Sequence, residues 1–155
     1  MNLRVLKRAR RSPEVGDIFV LSPANGQFLF GRVVATDANP LGVGGGILIY
    51  IYGARSSDKS PVPELRPSEL LVPPMMTNKL PWTKGYFEFV ENRPMGPQDR
   101  LAQHCFKDTR GWFFDEQRNR LPEPTEPVGQ WGLHSYQTID DEISNALGIP
   151  LAPDE

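Results

Sequence analysis

A single cysteine, two histidines and no apolar run of membrane length leave this 155-residue chain with little of the usual equipment for chemistry. Cys105 alone excludes an internal disulfide framework and fits a reducing compartment. His104 and His134 fall short of the three or four ligands a zinc site requires. His104 and Cys105 are neighbours, so in a strand they point to opposite faces, and adding His134 and Asp115 completes a set without a spacing signature. No metal and no cofactor are therefore expected. Cys105 and His134 also lack the cationic neighbour or helix N-terminus that activates a thiol, and no Gly-x-Ser-x-Gly elbow occurs. The glycine-rich stretch Leu41–Gly46 runs into a strand without the Gly-Lys-Ser/Thr of a phosphate loop. The start is basic, with Arg4, Lys7, Arg8, Arg10 and Arg11. Ser-Pro-Glu-Val-Gly-Asp follows where a signal needs apolar residues, so a cytoplasmic protein is expected. Five charges without a basic fold behind them do not predict a nucleic-acid partner.

What is present is β-rich and heavily punctuated. Sixteen prolines and fourteen glycines favour short strands and ordered loops over a helical bundle. Ile18–Leu21 and Phe28–Ala35 read as strands joined by a turn at Asn25-Gly26, and Gly31 marks a bulge or a close backbone approach. Ile47–Tyr52 is apolar on both faces and predicts a central strand. Between Ala54 and Trp82 the chain is irregular, with one helical turn expected at Pro67–Leu71. Tyr86–Val90 and Trp112–Phe114 are further strands, 99–106 is a short helix or strand, and Val128–Leu133 is a loop or irregular strand. Thr138 predicts an N-cap, with Asp140, Asp141 and Glu142 in the first turn, an apolar stripe of Ile139, Ile143, Ala146 and Leu147, and a stop at Gly148. The expected fold is α+β, mainly β: one domain built on a strongly bent antiparallel sheet or SH3-like barrel with a C-terminal helix. Residues 1–14 form a basic arm that is frayed or pairs with an edge, 15–149 the domain, and 150–155 an acidic tail.

Charge and aromatics suggest where a partner would sit. From Phe114 onward, Asp115, Glu116, Glu123, Glu126, Asp140, Asp141, Glu142, Asp154 and Glu155 face only Arg118 and Arg120. Such a segment steers a basic partner. Adjacent acids such as Asp115-Glu116 also have ordinary uses in turns. Phe87, Phe89 and Phe113 read as core. Trp82 and Trp131, beside loops, read as interface anchors together with Asp115 and Glu116.

Several short motifs resemble those of the immunity protein 26 family. They are Gly16-Asp17-Ile18-Phe19, the step from Gly26 through Phe28 to Gly31-Arg32-Val33, and the strand Ile49-Tyr50-Ile51-Tyr52. In the second half they are Tyr86-Phe87, Asn92-Arg93-Pro94, His104-Cys105-Phe106, Asp115-Glu116, Glu126-Pro127-Val128-Gly129 and Trp131-Gly132-Leu133. The resemblance runs from about Val15 to Ile149. It implies a protein that binds a cognate bacterial polymorphic toxin and blocks its active site, with no catalytic residue of its own. A small phosphotriesterase is grouped under the same family name, which makes a hydrolase the alternative.

Overall fold

The computed structural model describes residues 1–24, 26–42 and 44–153. Asn25 of the expected turn, Val43 of the glycine-rich connection, and Asp154 and Glu155 of the acidic tail lie outside them. The strands are β1 (Asp17–Leu21), β2 (Phe28–Ala38), β3 (Gly46–Ser56), β4 (Met75–Thr77), β5 (Glu88–Asn92), β6 (Cys105–Lys107), β7 (Phe113–Phe114), β8 (Arg120–Leu121), β9 (Val128–Gln130) and β10 (Leu133–His134). The helices are α1 (Leu80–Thr83) and α2 (Tyr136–Leu147). The class is the expected one, mainly β with a C-terminal helix. Six strands form a main sheet in the order β10-β4-β3-β2-β1-β5, and four form a smaller sheet, β8-β7-β6-β9. Two pairings are parallel, β10 with β4 and β6 with β9.

The unbroken apolar run of β3 follows from burial on both faces. Ile47, Ile49 and Ile51 point into one core with Phe19, Trp82, Phe87, Ile139 and Ile143, on the side that α2 covers. Leu48, Tyr50 and Tyr52 point into the other, with Met76 and Phe106 of the small sheet. Period-two alternation of one strand thus feeds two cores. Gly31 pairs with Phe19, and a Cβ there would stand 2.3 Å from the Phe19 ring. That ring stacks on Phe87 at 4.4 Å and meets Trp82 edge-on at 5.2 Å. The glycine is the space in which the aromatic cluster packs. Next to it, buried Arg32 donates to the carbonyls of Arg93 (2.7 Å) and Pro94 (3.1 Å), clamping β2 to the chain after β5.

Several elements differ from expectation for identifiable reasons. Residues 67–71 form no helix: a single turn closes from the Glu69 amide to the Arg66 carbonyl at 2.9 Å, and the chain then pairs with β3, the Gly53 and Leu71 amides bonding the Glu69 and Ile51 carbonyls. Segment 99–106 divides into the end of a single 3-10 turn (Pro97–Asp99) and the start of β6. The cap of α2 is Ser135, whose hydroxyl accepts from the Thr138 amide at 3.2 Å; Thr138 sits inside the first turn, and no acid does. Ala146 is exposed, and the buried face of α2 is Ile139, Asp140, Ile143 and Ser144. Asp140 accepts from the amides of Leu3 (2.7 Å) and Asn2 (3.1 Å). The basic N-terminal segment is consequently held rather than frayed: Leu3 is buried, and the amides of Leu6 and Ala9 bond the carbonyls of Gly85 and Trp82.

Candidate functional site

The small sheet closes over the face of the main sheet opposite α2, and its loops carry most of the residues that the sequence singles out. Tyr50, fully buried on β3, accepts from the Leu101 amide at 3.0 Å and lies 2.6 Å from His104 Nε2. A buried hydroxyl hydrogen requires an acceptor, so Tyr50 donates to Nε2 and the remaining ring hydrogen sits on Nδ1. Nδ1 is 2.5 Å from Glu116 Oε2, a close contact that does not meet the geometry of a hydrogen bond. Burial is the main cause that pushes the Tyr50 hydroxyl above its ordinary pKa, which keeps it protonated as a donor. The result is a directed chain from Leu101 through Tyr50 and His104 to Glu116. It ties the core of the main sheet to the loop after β7.

Asp115 is committed in the same way. Its carboxylate accepts from the Gln117 and Asn119 amides, both at 2.9 Å, and from Asn119 Nδ2 at 3.1 Å. The Glu116 carbonyl receives the Asn39 amide at 2.7 Å, fixing this turn against the end of β2. Both acids therefore hold the 115–119 turn instead of standing out as free charges. Trp82 cannot anchor a partner: it is 0% exposed, packed against Phe19, Phe87 and Phe89. Proline at the second position of α1 and the aromatic cluster turn its indole inward. Trp131 is half-buried, 5.1 Å from the Phe114 ring and 6.3 Å from that of Phe106.

Trp131 lines a cleft of about 550 Å³ between the small sheet, the segment leading into β4, and α2. Tyr50, His104 and Glu116 are not among its walls. Gly129 forms its wall where β9 passes Pro74 so closely that a Cβ would meet the Pro74 carbonyl at 2.6 Å. Lys107 and Asp108 sit on one side and Glu142 of α2 on the other. His134, 5% exposed, lines the cleft with Nε2 3.4 Å from the Gln130 carbonyl and Nδ1 without a partner among the described residues. Burial lowers its pKa, against smaller opposing effects of the Gln130 carbonyl and Glu142. His134 and His104 are thus separately engaged, and Cys105 is buried. Among the described residues no three His, Cys, Asp or Glu side chains gather closely enough to hold a metal ion. The cleft has an aromatic wall at Trp131 and charged residues, Lys107, Asp108 and Glu142, at its rims. Its signal in the sequence is Trp131 between Gly129 and Gly132. The relay of Tyr50, His104 and Glu116 is signalled only in that each member falls in one of the family motifs; that the three meet is not readable, because they are far apart in the chain.

No helix among the described residues is long and apolar enough to cross a membrane. No curated protein and no solved structure matches the chain. Residues 14–110, which contain β1 to β6 and thus the whole main sheet except β10, match the family model described as Immunity protein 26. On that match, which covers well over half of its length, the chain belongs to the immunity protein 26 family.

Proposed function

We propose that this protein binds a cognate bacterial toxin domain in a tight stoichiometric complex and neutralises it by covering the toxin's active site. The observation that carries the reading is membership of the immunity protein 26 family across the main sheet. The disposition of the polar groups agrees with binding rather than turnover. His104 and Glu116 are spent on an internal chain, and Cys105 is enclosed. In this reading the partner meets the small sheet and its cleft, where Trp131 offers a held aromatic surface. Asp115 and Glu116 contribute by fixing the adjoining turn. Rigid aromatic contacts of this kind supply affinity at low entropic cost.

The test uses a candidate toxin domain, sought among the genes that flank the one for this chain, carrying a substitution that inactivates it. Mixed with the purified protein, it is expected to elute with it as one complex of one-to-one stoichiometry. Separate elution of the two at micromolar concentration contradicts the reading.

A further inference from the structure

The turn joining β6 to β7 carries an exposed tryptophan that the sequence pattern places at the start of a strand. Trp112 is 39% exposed, and the guanidinium carbons of Arg110 and Arg120 lie 3.8 and 3.7 Å from its ring centroid. Carbon atoms in contact stay about 3.5 Å apart, so two such groups on one face would overlap. The arginines must bracket the indole, one on each face. Arg110 is further fixed by Asp108, at 2.9 Å from Nε and 2.8 Å from a terminal nitrogen. Arg120 and Lys107 have no carboxylate partner among the described residues, and both are exposed.

We infer that this Arg110–Trp112–Arg120 stack is a preformed docking surface for carboxylates on the toxin partner. The inference rests on the toxin-binding reading and deepens it by naming the partner's chemistry. A stacked guanidinium keeps its in-plane N–H donors free, and those of Arg120 lack an acceptor of their own. They match a carboxylate in paired hydrogen bonds. Stacking also fixes two long side chains before binding, which removes much of the ordering cost. Exposed Trp and Arg together have the composition of an interface hot spot. The alternative anion, a single-stranded nucleic acid, binds by stacking bases on open aromatic faces, and both faces of Trp112 are covered. Lys107 and Asp108 line the cleft and lead directly into the turn, so stack and cleft belong to one side of the molecule. Although acids dominate the second half in number, this surface is basic.

Isothermal titration of the full chain with the inactivated toxin domain tests the assignment. Arg120→Glu and Trp112→Ala are each expected to weaken Kd at least tenfold, and Arg120→Gln to weaken it less while flattening its salt dependence. Arg10→Glu, on the exposed N-terminal segment, should leave Kd within twofold. Should Trp112→Ala fail to fold, the two Arg120 variants decide, since that side chain is exposed. Tight binding by the wild type that Arg120→Glu leaves unchanged overturns the inference alone. A wild type that does not bind the toxin overturns the underlying reading and the stack's role with it. Binding of a thymidine oligonucleotide that depends on Arg120 assigns the stack to nucleic acid and overturns the carboxylate assignment.

Discussion

At the scale of single residues, the polar side chains of this protein serve mainly to place structure. Arg32 spends its guanidinium on two backbone carbonyls, and Glu116 reaches back through His104 to a core tyrosine. Gly31 is legible as a close approach because a glycine inside a run of β-formers usually marks one. That it makes room for Phe19 is not legible, since the ring comes from another strand. Trp82 misleads for the same reason. A tryptophan among prolines resembles a loop anchor until long-range packing shows which way it faces. His134 offers a residue-scale test. Burial holds its pKa below the usual value of about 6.5, so the unfolded chain binds the proton more readily than the folded one. Its contribution to stability is present above that value and is lost as the pH falls through the folded pKa. Denaturant unfolding between pH 7 and pH 5 should therefore show stability declining more steeply in the wild type than in His134→Gln. Parallel profiles would show that His134 does not titrate with folding.

At the scale of elements, legibility follows length. The first three strands are readable because runs of apolar and β-branched residues sit between turn signals, and β3 is long enough to declare itself central. Strands of two or three residues, such as β4 and β7 to β10, show no period, and the pairing of β4, β9 and β10 depends on partners far away in sequence. The helix α2 is readable too, but its cap lies three residues before the expected one because Ser135 and Thr138 are both competent caps. That shift changes the meaning of Asp140, which does not complement the first turn but gathers the N-terminal segment onto the helix. Replacing it with asparagine turns one acceptor toward a donor and leaves a buried amide short of its partner, at a cost of about 1–3 kcal/mol. Hydrogen exchange of the Leu3 amide in Asp140→Asn should quicken by at least tenfold while β3 amides keep their protection. Equal protection in both proteins would show that the N-terminal segment is held by other contacts.

At the scale of the whole molecule, two sheets and two helices enclose three clusters of buried apolar residues among those described and leave one side bearing a cleft, a half-buried Trp131 and the bracketed Trp112. The family motifs in the sequence carry the expectation of a protein partner, and the charge count alone points to acids for its recognition. Asp115 and Glu116 are close to Trp112 in sequence, and only the hydrogen bonds of Asp115 and the close approach of Glu116 to His104 reveal that they are engaged, while Arg120 has no carboxylate partner among the described residues. Net charge along a segment says little about which charges are free at its surface. The function proposed for the whole molecule is protection of a cell. The most direct measurement is growth of a bacterium expressing the active form of the toxin domain that co-elutes with this chain, with and without the chain. Arrest is expected with the toxin alone, and full growth when the chain is present at equal or greater abundance. Continued arrest in the presence of abundant, folded protein would contradict toxin neutralisation.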